Sequence, residues 1–320
     1  MFVSLVTGAI PLAVVFLLGC VGEIIMEKSG HLNLGLPGIM CSGTAGGCLG
    51  AYLFMSIVRS NPSWILIVLF SIFVAFLFAS FVGAIYGFLT VSLRCNQNII
   101  GLALTTFGVG FTQFFIDNFI DRNYLFPASK VINKGLPFAT GLGWFGEIFL
   151  SYGIIVYLAI AIAVCTSLFL KKTKSGLRLC AIGESPATAD AAGINVTRYK
   201  YSAILIGSGI AGIGGFYYII GYLGGSWENA STIEALGWLS VALVIFTLWR
   251  PNLSILGSFV FAVLYILAFK ITGISFSQMS LLKILPYIVT IIVLIITSIF
   301  GSKNVQPPAA LGLNYFREDR

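Results

Sequence analysis

Asp117 and Asp121 stand four residues apart, so on a helix they share a face and could together hold a cation. Arg122 follows directly and supports a plainer role, a solvated helix end. The single histidine, His31, could sense pH or bind a metal. Beside Lys28 in a short polar stretch, it is expected to be solvated. Six cysteines (Cys20, Cys41, Cys48, Cys95, Cys165 and Cys180) form no CxxC pair and no cluster with His31. They read as small helix-packing residues, and neither a disulfide framework nor a metal site is expected. The dipeptide Gly-Lys never occurs, so the chain has no phosphate loop for ATP. No GxSxG, HExxH or carboxylate pair stands in a catalytic context. Glu23, near the end of an apolar run, is the other carboxylate of note, because buried acids serve proton relays and ion-coupled carriers.

The elements that must position these residues are spans. The 320 residues are 58% hydrophobic and 9% charged, against roughly 25% charged in a soluble domain. Runs such as "WILIVLFSIFVAFLFASFVGAIYGFLTVSL" (64–93) and "YIVTIIVLIITSIF" (287–300) suit helices of about 20 apolar residues rather than barrel strands of about 10. The fold class is therefore all-α, a polytopic transmembrane bundle. Nine spans are expected, near 4–24, 38–58, 64–93, 98–120, 147–170, 199–224, 233–249, 252–272 and 283–300. "LLGC" (17–20) resembles a lipoprotein cleavage site, but no Lys or Arg precedes the run, and a signal peptide needs a positive start. The first span is expected to be retained.

Twelve of the 18 basic residues fall on one set of alternate loops: Lys28, Arg94, Lys171, Lys172, Lys174, Arg178, Arg198, Lys200, Arg250, Lys303, Arg317 and Arg320. That side is assigned to the cytoplasm, with the N-terminus outside and the tail 301–320 inside. The net charge of +7 then marks a membrane face and calls for no nucleic-acid partner. Only 121–146, facing out, and 171–198, facing in, exceed turn length, so residues 1–320 read as a single membrane domain.

The inner loop carries "GESPATADAAGINVTRYKYSA" (183–203). Ser185 and Pro186 suit a helix start, and Gly193 suits a left-handed stop. A helix of about two turns over 186–193 is expected on the cytoplasmic surface. It lacks the bulky apolar face of a helix lying in the headgroups, and its small side chains would let a partner come close.

"GLRLCAIGESPATADAAGINVTRYKYSAILIGSGIAGIGG" resembles the coupling loop of ABC-transporter permeases of the branched-chain amino acid, simple-sugar and nucleoside importer class. "EKSGHLNLGLPGIM" (27–40), "EALGWLSVALVIFTLWRPNLSILGSFVFA" (234–262) and "PPAALGLNYFREDR" (307–320) are similar to further segments of that family. The last is most like the shorter permease of nucleoside-type importers that depend on a basic membrane lipoprotein. Where the family usually has an acid, this chain has Pro37. The resemblance implies a multi-pass protein of the bacterial inner membrane that is not itself an enzyme. It implies that Glu184, Ser185, Pro186, Ala187, Ala189, Asp190, Ala191, Ala192 and Gly193 couple to a cytoplasmic ABC ATPase. ATP and Mg would bind that ATPase, and this chain would hold no cofactor and no metal. The further partners implied are a second homologous permease, in a heterodimer, and an extracytoplasmic substrate-binding lipoprotein.

A path for a small neutral polar solute should offer hydroxyls, amides and aromatic faces. The candidates are Asn33, Thr44, Thr105, Thr106, Phe107, Trp238 and Ser240. Each has a plainer reading, since Ser and Thr commonly bond their own helix and Phe or Trp can face lipid. The Gly-rich stretches 43–50 and 207–215 suit close helix contact better than substrate binding. Nucleosides come first among substrates, with riboflavin and pentose or other simple sugars as alternatives. A stand-alone ion-coupled carrier or channel, and a membrane scaffold, stay open as other classes.

Overall fold

A computed structural model describes residues 2–58, 62–135, 143, 146, 150–270, 275, 278, 281–300 and 306–316. Among them the regular structure is helical: α1 (Phe2–Glu27), α2 (Leu36–Ile57), α3 (Trp64–Gly87), α4 (Gln97–Phe119), α5 (Leu125–Ile132), α6 (Ile154–Lys172), α7 (Lys174–Glu184), α8 (Pro186–Ala191), α9 (Val196–Tyr217), α10 (Ala230–Phe246), α11 (Pro251–Lys270) and α12 (Leu285–Phe300). Single π turns extend α3 over Phe88–Ser92 and α9 over Tyr218–Tyr222. Among the described residues six helices are long and apolar enough to cross a membrane, namely α1, α2, α3, α4, α6 and α9, and α10, α11 and α12 are shorter apolar helices. Residues 147–149 of the expected fifth span, most of 136–149 and 301–305 lie outside the described residues.

Helix starts follow from side chains that supply the acceptors the first turn lacks. Asn96 accepts from the backbone N–H of Asn98 and Ile99 at α4, Thr173 from Gly176 at α7, Asn195 from Arg198 at α9 and Asn229 from Thr232 at α10. Both long loops hold more helix than the sequence reading allowed. α5 lies in 121–146, and α7 fills the first half of 171–198. α7 has no long apolar run to reveal it; its start rests on the Thr173 cap.

Burial separates the helices into two classes. In α1, α9 and α2 the apolar windows are 89%, 83% and 72% buried, against 33%, 33% and 39% in α3, α4 and α6. The first three therefore form the centre. α3 packs on α2 and α9, α4 on α2, α6 and α11 on α1, and α10 on both α1 and α2. The central helices meet through glycine. A Cβ on Gly43 would overlap the backbone of Gly212, and one on Gly22 the carbonyl of Gly207. The Gly-rich stretches serve helix contact, as expected. Cys20, Cys41 and Cys48 are buried among the same helices.

Candidate functional site

α8 stands out from the bundle as a short capped turn. The Ser185 hydroxyl accepts from Thr188 N at 3.4 Å, and Pro186 occupies the first turn. The helix ends at Ala191 rather than 193. Gly193 N donates to Asp190 O at 2.9 Å and Ile194 N to Ala189 O at 3.0 Å, the bond pair of a left-handed helix stop. Gly193 takes φ +78° there, with nothing within 4 Å of where a Cβ would sit. Ala189 is buried with Ile182 and Val196, which anchors one side. Glu184, Ala187, Ala191, Ala192 and Gly193 are exposed, and the small residues at 187 and 191–193 leave the backbone approachable.

The chain's last described segment, 306–316, straps this turn to the rest of the same end. Ala310 N donates to Gly183 O at 2.9 Å and Gly312 N to Gly30 O at 3.1 Å. Ala309 N donates to Glu184 Oε2 at 3.3 Å, and the Tyr315 hydroxyl to Asp190 Oδ2 at 2.8 Å. Asn314 Nδ2 donates to Arg94 O at 2.7 Å. The turn, the 28–35 segment, the α4 start and the tail thus share one end of the molecule. Truncation after Gln306 removes these bonds. Each is worth about 1 kcal/mol net, and trypsin cleavage between Lys174 and Arg198 in the purified protein should rise by roughly tenfold as the open form gains population. An unchanged cleavage rate would show that the strap does not hold the loop.

Beneath the strap lie polar groups that the sequence reading placed in solvent or overlooked. His31 is 1% exposed, not solvated. Burial and the nearby Lys200 hold its imidazole well below the ordinary histidine range, so it is neutral. It packs edge-on to Tyr86, whose hydroxyl donates to Leu32 O at 2.8 Å. Lys200, assigned by charge counting to a loop, is also buried, in the second turn of α9. Glu23 and Glu27 share one face of α1 and are both buried. Glu27 Oε2 accepts from the Trp249 indole, and Glu23 Oε1 from Asn33 N at 3.3 Å. Leu248 and Trp249 both hold φ +54°, a left-handed backbone that costs a non-glycine residue about 1–3 kcal/mol. The Glu27 bond helps fix it. The four-residue spacing of Glu23 and Glu27 was legible, but their partner Trp249 lies 222 residues away.

The candidate path residues do not converge. Asn33 and Thr105 both organise the 32–35 turn: Asn33 Oδ1 accepts from Gly35 N and Thr105 donates to Leu34 O, each at 2.9 Å. Thr44 and Ser240 are fully buried and donate to Met40 O and Leu236 O of their own helices. Trp238 is half-buried. Thr106 and Phe107 are exposed on α4, and Phe107 stacks on Phe111 with centroids 5.8 Å apart. A groove of about 620 Å³ joins these two rings to Ser42, Phe78 and Ser80. Pro37 stands in the first turn of α2, packed against Gly237. Asp117 and Asp121 are not a paired site. Asp117 bonds Arg122, Gln113 and the Trp227 indole, while Asp121 caps the turn at Arg122–Tyr124.

Residues 5–296 match the family described as the branched-chain amino acid transport system permease component. The chain belongs to that family. A protein of Haloferax volcanii assigned by name to a glucose ABC transporter as its permease is 30% identical over 98% of both chains. A nucleoside ABC transporter permease of Lactococcus lactis is 30% identical over 93% of this chain and 92% of its own. A guanosine ABC transporter permease of Bacillus subtilis is 27% identical over 99% and 97%. No solved structure matches the chain. This permease is thus a multi-pass membrane protein, in a bacterium one of the inner membrane, and the transport subunit of an ABC importer.

Proposed function

We propose that this permease carries nucleosides into the cell as half of a heterodimer driven by a separate ATPase. The observation that supports it is α8, a rigidly capped turn with exposed small side chains in a chain that has no phosphate loop of its own. Residues 184–193 dock on the ATPase, which binds ATP and Mg, while this chain holds neither. An extracytoplasmic lipoprotein delivers the solute. Two of the relatives named above are nucleoside or guanosine permeases, which favours a purine or pyrimidine nucleoside. The stacked Phe107 and Phe111, which line the groove, suit the flat base of a nucleoside. The glucose assignment of the Haloferax relative keeps simple sugars as a second reading.

Proteoliposomes holding both permeases, the ATPase and the lipoprotein should accumulate labelled guanosine only with ATP, and excess glucose should not compete. ATP-dependent accumulation of labelled glucose with no guanosine uptake would select the sugar reading. Accumulation by this chain alone, without partners, would overturn the importer mechanism.

Docking on a cytoplasmic ATPase requires the α8 end to face the cytoplasm. Ala192, exposed beside Gly193, offers a probe free of burial. Ala192→Cys, in a chain whose other cysteines are replaced, should react with an impermeant maleimide only after permeabilisation. Equal labelling in intact cells would invert the orientation.

A further inference from the structure

At the end of the molecule that carries α8, a cavity of about 630 Å³ lies between the π turn of α3, the start of α9 and the tail. Small-molecule sites span roughly 300–1,000 Å³. Among the described residues three cations line it, Arg94, Arg198 and Lys200, against one carboxylate, Asp190. Lys200 is 4% exposed, and among the described residues its ammonium has no hydrogen bond and no ion pair. A buried ammonium without a counter-ion is costly. Its neighbour His31 is neutral and supplies no charge. Asp190 already accepts from Tyr315. The first turn of α9 adds donors, since the N–H groups of Val196 and Thr197 have no intrahelical acceptor and both residues line the cavity. Arg94 is held in place by its guanidinium lying 4.8 Å from the Phe316 ring centroid.

We propose that this cavity is a binding site for a phosphate group, carried by a small soluble phosphate ester. A phosphate dianion offers several acceptor oxygens at once, which matches three cationic side chains and a helix N-terminus better than a single carboxylate does. Because Asp190 and Gly193 of the coupling segment form one wall, the anion ties α8 to α9 and to the tail. The headgroup of an anionic lipid carries the same chemistry, and membrane composition distinguishes the two sources. The site stands whichever solute the importer carries.

The test is titration of the full-length chain in phosphatidylcholine nanodiscs with inorganic phosphate and with a nucleoside 5′-monophosphate. Saturable binding is expected. Lys200→Gln and Arg198→Gln should each weaken it by about tenfold or more, as for loss of a charged hydrogen-bonding partner, while elution and helix content stay unchanged. Arg198 is exposed, so its variant keeps the test sound if Lys200→Gln folds poorly. Equal binding in phosphatidylglycerol nanodiscs supports the soluble ester; binding suppressed there and restored in neutral lipid moves the phosphate to a lipid headgroup and overturns the ester assignment. Absence of saturable binding at millimolar phosphate, or binding unchanged in both variants, overturns the site. Binding by the lone chain that vanishes on assembly with the ATPase also overturns it, because a partner side chain then fills the cavity.

Discussion

Gly193→Val and Ala191→Trp should each abolish substrate-stimulated ATP hydrolysis and solute uptake in the assembled importer, at normal permease abundance in the membrane. The two changes reach this result by different physical routes. Gly193 holds φ +78° in open space, so a valine there meets no neighbour, and the cost is backbone strain of about 1–3 kcal/mol. That strain is relieved by moving Ile194 and Asn195, which breaks the stop that aims α8. Ala191 is exposed, so a tryptophan hangs into solvent in the free chain and costs little there. Against a docked ATPase the same ring overfills the contact, where overpacking costs about 1–3 kcal/mol. Ala191→Ser, small and polar, should keep near-normal coupling. Stimulated ATPase activity, uptake and membrane abundance measured on the same complexes decide the matter. Normal stimulation in correctly assembled Ala191→Trp and Gly193→Val complexes would mean that α8 is an ordinary solvated turn and the docking surface lies elsewhere.

The apolar helices and the short capped turn at 186–191 were legible because both are written locally. A run of apolar residues fixes a helix by length alone, and the helices fall within a few residues of the expected spans over the described parts. Ser185, Pro186 and Gly193 mark a start and a stop within nine residues, and only the last two positions of the helix were misplaced. What was not legible lies across the chain. Polar residues at the ends of apolar runs are usually wet, so His31 and Lys200 read as solvated. They are buried because the tail folds back over the same end, with Gly312 on Gly30 and Asn314 on Gln97 and Arg94. Glu27 likewise depends on Trp249. Contacts separated by more than 200 residues leave no periodicity to read. The substrate path was legible only as residue types. Hydroxyls such as those of Thr44 and Ser240 satisfy themselves on their own helices, and sequence does not distinguish that from binding. The family resemblance supplied what local patterns could not, that the chain is the transport subunit of an ABC importer.

Gly43→Leu should be the most damaging single change in the permease, although Gly43 itself is assigned no contact with solute or ATPase. In a bilayer, apolar side chains gain little by leaving lipid for another helix, so close packing of small residues carries helix association. Gly43 is where α2 meets α9. A Cβ there would overlap the Cα and carbonyl of Gly212, and one on Gly215 would overlap the carbonyl of Met40. Backbone faces backbone along this line, so no side chain can swing aside. A leucine must push the two helices apart, and α1, packed on α9, loses its contacts with them. The expected cost lies at or above the upper end of the about 1–3 kcal/mol of ordinary overpacking. Gly110→Leu supplies the contrast: that glycine is exposed on α4 with nothing within 4 Å of its Cβ position. There the change gains about 0.8 kcal/mol of helix propensity and buries nothing. After expression at equal levels, Gly110→Leu should elute as a single species with native thermal stability, whereas Gly43→Leu should aggregate or be degraded. A monodisperse, stable Gly43→Leu permease would show that α2 and α9 are not in backbone contact and that the centre of the bundle is packed differently.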